Sequence, residues 1–332
     1  MDVSILIVNY RTPELVTDCV RSVREKTRGV SYEIIVVDNG SGDGSLQKMK
    51  SALPEDVRLI DAGYNLGFGR ANNLAAKYAS GTYLFLLNSD TLLRNDAVSI
   101  LFRYMEENRT CGIAGGNLFS ADGRPAGSFC RSFDSPESVK YAASWSGIIT
   151  GIRERRRRDR LPENERERIL AEKNFNTTEY VEDVAYVFGA DLMIAQSLFE
   201  ELSGFDRDFF MYAEESELAF RVRKTGRTVM SVPEAEITHL DGGSFGGQTG
   251  FKSRQYAMRQ LGKMLFFEKC YGEEEANQYR RWKRAELHRT YLLARMFRRD
   301  ALMSLTKQEI QAFSKADKAY AERKEKKNGG NL

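Results

Sequence analysis

The stretch VSILIVNYRTPELV, residues 3–16, joins an Ile- and Val-rich run to a polar Asn-Tyr-Arg-Thr turn and then to Pro13. Ser4–Val8 suits a strand buried on both faces, as strands of a parallel sheet are. Pro13 stands where a first helical turn tolerates proline, and Leu15, Cys19, Val20 and Val23 follow at helical spacing. The same unit recurs downstream. Glu33–Val37 is a second strand, ending in Asp38-Asn39-Gly40-Ser41-Gly42-Asp43-Gly44. Val57–Ile60 is a third, with a helix over Gly69–Tyr78; Thr82–Leu87 is a fourth, with a helix over Asp96–Glu107; Gly112–Gly116 is a fifth. Strands alternating with helices over residues 1–118 predict an α/β layer with a parallel sheet.

Ligands of such a sheet gather beyond the carboxyl ends of its strands. Those ends carry Asn9, Asp38, Asn65 and Asn88–Asp90. Small polar residues there either shape turns or hold a ligand. Each follows a strongly apolar strand, which favours the ligand. A P-loop is absent. Gly67-Phe68-Gly69-Arg70-Ala71-Asn72 has Asn where a dinucleotide fingerprint needs its third Gly, and it belongs to the third βα unit, which argues against a nicotinamide enzyme.

The chain has 332 residues, 42% of them hydrophobic and 29% charged, enough for one large or two modest globular domains. No apolar run approaches the roughly 20 residues of a membrane-spanning helix, and the first residues lack the pattern of a secretory signal. Cys19, Cys111, Cys130 and Cys270 follow no metal-ligand spacing and read as thiols of a reducing, cytoplasmic compartment. The net charge of +3 hides a split: from Arg280 onward 15 Lys/Arg face 6 Asp/Glu, an excess of +9, which leaves −6 on residues 1–279. A second basic cluster, Arg153, Arg155, Arg156, Arg157, Arg158 and Arg160, interrupts the body. It reads either as a solvated helix face or as a surface for phosphates or anionic lipid.

Beyond residue 118 the pattern turns irregular. Loop and short strands are expected over 119–150, a charged helix over Glu163–Lys173, and a strand over Tyr186–Ala195 broken at Gly189. A helix follows over Glu214–Lys224, a strand over Thr228–Val232 and a Gly-rich loop over Pro233–Gly247. From Lys252 the chain reads as helical and ends in a solvated KEKKNGGNL tail.

Eight segments in order carry a resemblance: VSILIVNYRTPELV, EIIVVDNGSGDGS, NLGFGRANNLA, YLFLLNSDT, VFGADLMI, GFDRDFFMYAEESELAFRVRKTG, VPEAEITHLDGGS and RQYAMRQLGKM. Together they resemble inverting glycosyltransferases of the GT-A fold, in the large family of bacterial cell-surface polysaccharide enzymes, and most of all the rhamnosyltransferase type. That resemblance implies a Rossmann-like, mostly parallel sheet flanked by helices with a C-terminal helical extension. It divides the chain into a nucleotide-sugar-binding half (1–118), an acceptor-binding and catalytic half (119–250) and a basic helical extension (251–332).

The resemblance also assigns roles. Asn9, Tyr10, Asp38, Asn65, Asn72 and Ser89 match the nucleotide pocket. Asp90 matches the last acid of the metal motif, and His239 the histidine that often completes the metal shell. Glu215 stands where the family has its catalytic base, usually Asp; Glu214 is the alternative. Asp191 and Tyr212 fall toward the acceptor. As a rival to its metal role, Asp90 could cap the following helix, which Asn95 would do better.

The chemistry explains the residue types. A departing nucleoside diphosphate concentrates negative charge that Mg²⁺ or Mn²⁺ neutralises through carboxylate and imidazole ligands. A sugar hydroxyl needs a carboxylate to take its proton as it attacks. The implied partners are a dTDP-rhamnose or UDP-sugar donor, a glycan or lipid-linked acceptor, and an anionic membrane met by the basic tail; nucleic acid is not implied. A sugar nucleotidyltransferase would need glycines in the first loop, and a non-catalytic nucleotide-sugar-binding scaffold would fit the atypical Glu215.

Overall fold

A computed structural model of the chain describes residues 1–162, 165–166, 169, 173–240 and 251–329. Its contacts divide it into two units. The first comprises Met1–Phe133, Glu167–Phe210 and Glu215–Gln248; the second comprises Asp134–Arg166, Met211–Glu214 and Thr249–Leu332.

The first unit is built on β1 (Val3–Asn9), β2 (Tyr32–Asp38), β3 (Arg58–Asp61), β4 (Tyr83–Asn88), β5 (Thr91–Leu93), β6 (Cys111–Phe119), β7 (Phe129–Cys130), β8 (Glu182–Asp183), β9 (Tyr186–Val187), β10 (Asp191–Ala195) and β11 (Thr228–His239). The main sheet runs β3-β2-β1-β4-β10-β6-β11-β5, with β8 beside β11. β1 to β4 are mutually parallel, and β6 and β11 run with them. β10 enters antiparallel between β4 and β6.

Both faces of β1 are buried, as its unbroken apolar run requires. Ile5 and Ile7 pack with Val16, Cys19, Val20 and Val23 of α1 (Pro13–Lys26), while Leu6 packs on the other face with Ile35, Val37 and Ala75. Each such fully buried aliphatic side chain contributes about 1.5–3 kcal/mol. α2 (Ser45–Ala52), α3 (Phe68–Ala76) and α4 (Ala97–Glu107) complete the alternating half. The parallel register aligns its polar strand ends, pairing Asn9 with Asp38, Asp38 with Asp61 and Val8 with Asn88.

The second unit holds α5 (Pro136–Ala143), α6 (Trp145–Asp159), α9 (Ser253–Tyr271), α10 (Glu273–Met296) and α11 (Asp300–Gly329); α7 (Gln196–Glu201) and α8 (Glu214–Lys224) precede the last three in the chain. Phe267 stacks on Tyr279 at 4.8 Å, and the Tyr279 hydroxyl donates to Gln260 Oε1 at 2.6 Å. Arg280 and Arg284 both grip Asp317 at 2.5 Å.

The structure differs from the sequence expectations in several places. Pro136–Ala143 and Trp145–Asp159 are helical, α5 and α6, although loop and short strands were expected up to residue 150; Ser135 and Ser144 cap them by accepting from the amides of Ser138 and Gly147. β11 continues through Pro233 to His239, where a Gly-rich loop was expected. A register shift between Ser231 and Glu236 admits the proline, whose missing N–H a regular ladder would not tolerate. The Gly-rich residues 241–250 lie outside the described residues, as does most of the helix expected over 163–173. Asp96, not Asn95, caps α4, accepting from Ser99 N. Asn95 instead braces the β11 irregularity, donating to Glu234 O at 2.7 Å and accepting from Glu236 N at 3.1 Å. The tail is helical to Gly329, and Lys324 pairs with Glu268 and Glu273 at 3.1 and 3.0 Å rather than being solvated; residues 330–332 lie outside the described residues. None of the four cysteines forms a disulfide, and burial pushes the Cys19 and Cys111 thiols up to about 12.

Candidate active site

The first cluster forms where β1 and β2 end side by side. Asn9 and Asp38 are both buried, and Asn9 Nδ2 donates to Asp38 Oδ1 at 2.7 Å and to Ser41 Oγ at 3.1 Å. Asn9 Oδ1 accepts from the Thr12 amide and hydroxyl, and Asp38 accepts from the Ser41 hydroxyl at 2.6 Å and amide at 3.2 Å. Thr12 Oγ1 stands 3.4 Å from Ser89 Oγ, tying this cluster to the end of β4. Tyr10 lies under the Arg11 guanidinium at 5.1 Å, and Arg11 is held by Ser41 through its amide and Nε.

A second group borders it. Asn39 Nδ2 donates to Asn65 Oδ1 at 3.2 Å, while the Asn39 and Asn65 side-chain oxygens accept from the amides of Leu66 and Gly67. The Phe68 amide donates to Phe210 O. The amides that lead into α3, those of Leu66, Gly67 and Phe68, are therefore engaged within the protein. Gly67 has φ +85°, and a Cβ there would collide with Phe210 O, so this crossing demands glycine. Asn72 is buried and its amide turns back onto Phe68 O at 3.1 Å, so it supports the helix rather than facing a ligand.

The acid–imidazole pair follows from strand register. β5 pairs antiparallel with β11, setting His239 opposite Thr91 and hence beside Asp90. His239 Nε2 stands 3.2 Å from Asp90 Oδ1, and the Leu240 amide donates to Asp90 O at 2.8 Å. Both side chains keep a minor part of their surface open. Among the described residues no group of three or more His, Cys, Asp or Glu side chains gathers as a metal cage. The pair nevertheless fits a hard cation. Two adjacent ligands of an octahedral Mg²⁺ or Mn²⁺ stand about 3 Å apart, and such ions commonly take one or two protein ligands beside phosphate oxygens.

Glu215 reaches the same end of the sheet by another route. The Asn88 amide donates to Ala190 O at 2.9 Å, and the neighbouring Gly189 lies against the Glu215 side chain. Protein packs densely around Glu215 although part of its surface stays open, and that burial pushes its carboxyl above the ordinary glutamate value. Glu217, two residues on, is locked bidentately to Arg221 at 2.7 Å and is structural. Glu214 is buried, and with Tyr212 it groups with the second unit. There the Arg259 guanidinium covers the Tyr212 ring at 5.1 Å, and Gly262 lets α9 approach the Tyr212 carbonyl. Tyr212 and Ala213 have φ of 72° and 71°, consecutive left-handed residues that aim the start of α8.

Asp191 is fully enclosed, so it offers no surface to an acceptor hydroxyl. Its Oδ2 accepts from Gly116 N at 2.5 Å, while Oδ1 has no hydrogen-bond partner among the described residues. Burial pushes this carboxyl well above its ordinary value, with His239 nearby opposing the shift. Sequence reasoning missed Thr12, Asn39, Ser41 and the paired left-handed residues. Only the glycines at 40 and 67 signalled how closely these loops approach one another.

This architecture is that of a GT-A glycosyltransferase. The solved mannosyltransferase PcManGT from Pyrobaculum calidifontis, in complex with GDP-Man and Mn2+, matches with a TM-score of 0.53 over 96% of this chain and 84% of its own, at 14% identity. GalNAc-T7 with UDP, GalNAc and Mn2+ matches with a TM-score of 0.55 over 98% of this chain and 57% of its own, at 15% identity. The chain belongs to glycosyl transferase family 2, whose model matches residues 4–176, and it is a glycosyltransferase. Among similar proteins, the low-salt glycan biosynthesis hexosyltransferase Agl10 of Haloferax volcanii is 24% identical over 72% of this chain and 67% of its own length. The N-acetylglucosaminyl-diphospho-decaprenol L-rhamnosyltransferase of Mycobacterium tuberculosis is 25% identical over 62% of this chain and 66% of its own.

Proposed function

We propose that the chain is a metal-dependent inverting glycosyltransferase of cell-surface polysaccharide synthesis. It moves rhamnose from dTDP-rhamnose to a glycan or lipid-linked glycan acceptor at the inner face of the membrane. The observation that carries this is the Asp90–His239 pair, 3.2 Å apart at the same sheet end that Glu215 approaches through Gly189. The mycobacterial relative, whose name is that of an L-rhamnosyltransferase acting on a diphospho-decaprenol, supports the donor and the lipid-linked acceptor.

Asp38 and Tyr10 receive the base and ribose, with Asn9, Ser41 and Thr12 fixing their orientation; Asn9 is fully buried and its side-chain amide is engaged by Asp38, Ser41 and Thr12. Asn65 holds the edge of that pocket, and Asn72 supports it from within α3. Ser89 borders the diphosphate. Asp90 and His239 hold Mg²⁺ or Mn²⁺, which when bound offsets the diphosphate charge of the leaving group. Glu215 takes the proton of the acceptor hydroxyl as that oxygen attacks the anomeric carbon from the face opposite the leaving group, so configuration inverts in one displacement. Its raised affinity for a proton suits a base working near neutrality. Glu214 is the alternative base and Tyr212 an acceptor contact, and enclosed Asp191 ties β10 to β6 through Gly116 N. Release of nucleoside diphosphate from a donor panel, in the presence of metal, tests the reading. Pyrophosphate as product would overturn it in favour of nucleotidyl transfer. Among the described residues no helix is long and apolar enough to cross a membrane, so contact with one would be peripheral.

A further inference from the structure

The catalytic reading leaves one face of the second unit without a role. On α5 and α6, Tyr141, Trp145 and Ile149 are 56%, 52% and 42% exposed; at the end of α10, Leu292, Met296 and Phe297 are 55%, 63% and 64% exposed. The two groups are contiguous. Arg289 donates to Ala143 O, and its guanidinium lies 5.4 Å over the Trp145 ring. Leu292 and Met296 follow Arg289 three and seven positions on and share its face of α10, as Ile149 shares the face of Trp145. Exposed arginines frame the apolar tips: Arg153 and Arg156 continue the α6 face, while Arg295, Arg298 and Arg299 end α10. No Asp or Glu occurs between Leu287 and Arg299.

We propose that this face seats the enzyme on an anionic lipid bilayer. Trp145, Met296 and Phe297 enter the boundary between headgroups and acyl chains, and the arginines bind headgroup phosphates. The inference deepens the proposed function and rests on its lipid-linked acceptor for purpose, though not for physics. Tryptophan favours the interfacial zone, and long basic side chains lay their stems on apolar surface while their charges reach phosphate. A helical surface that is apolar at its centre and basic around it lies on a membrane rather than spanning it. A two-fold contact between copies would bring two basic patches together, and the exposed Ile149, Leu292 and Met296 among the aromatic rings suit acyl chains better than stacked bases.

Flotation of the full chain with phosphatidylcholine vesicles, with and without phosphatidylglycerol, tests the proposal. The protein should float with the anionic vesicles, be released by salt, and float poorly with phosphatidylcholine alone. M296S/F297S should weaken binding about tenfold and R295Q/R299Q about twentyfold, both with unchanged thermal midpoints because these side chains are exposed. Failure of the wild type to bind phosphatidylglycerol vesicles would overturn the proposal, as would undiminished binding by both variants. So would a dimer in light scattering that M296S/F297S dissolves without any vesicle binding, or capture by single-stranded RNA in preference to vesicles. Nucleoside-diphosphate release, measured on the same proteins without lipid, separates the two readings. Vesicle binding by a wild type that never turns over donor sinks the catalytic reading and supports the surface.

Discussion

At the level of single residues, burial raises the proton affinity of two carboxylates, Glu215 and Asp191. Burial disfavours the ionised form of Glu215, so as the proposed base it should place the acidic limb of the kcat/KM profile above the ordinary glutamate value of 4.5. Glu215→Gln should lower turnover by about 10²–10⁴-fold with donor affinity retained, and Glu214→Gln by much less; the reverse order would move the base to Glu214. Asp191 makes a prediction about stability. Its folded-state affinity for protons exceeds the unfolded one, so the native state binds more protons above pH 3.8 and loses stability as pH rises toward the folded value. Asp191→Asn keeps an acceptor for Gly116 N and removes that penalty. Its unfolding midpoint at pH 8 should match or exceed the wild type, with a flatter pH dependence between pH 5 and 8. A midpoint several degrees lower at pH 8 would show that the charge is needed.

At the scale of elements, loop contacts that only glycine permits hold the first unit's strand ends. Gly67→Ala forces a side chain into an extended backbone at φ +85° and ψ 168° that is essentially reserved for glycine, costing about 1–3 kcal/mol, and drives a Cβ into Phe210 O; urea unfolding should register at least that loss. The strands β1 to β4 and the helices α1, α3 and α4 were legible because apolar runs, Pro13 and polar strand ends punctuate them, whereas the short α2 was not read. The direction of β10 was not legible, since alternation carries no sense of which neighbour a strand joins. α5 was missed although Ser135-Pro136-Glu137 is a helix-start pattern. α6 was hidden by its five arginines, which obscure its short apolar face. β11 was cut short at Pro233 because the irregularity that admits a proline depends on Asn95, far away in sequence. Asn9, Asp38, Asp90 and His239 were legible as candidates from strand ends and resemblance. The supporting Thr12 and Ser41 were not, because hydroxyls in turns are commonplace and only the folded register makes them partners.

At the scale of the whole molecule, the near-neutral net charge separates into two tasks. Both basic features of the sequence, the Arg153–Arg160 cluster and the excess beyond Arg280, fall in the second unit with the exposed apolar face. The acid–imidazole pair belongs to the first. Chelation with EDTA should therefore stop sugar transfer while leaving attachment to anionic vesicles intact; loss of both together would contradict that division. The most direct test of the central claim is nucleoside-diphosphate release from dTDP-rhamnose with Mg²⁺ or Mn²⁺, compared between the wild type and Asp90→Ala. The account predicts metal-dependent release that Asp90→Ala abolishes while the protein stays folded, and undiminished release by Asp90→Ala would contradict it.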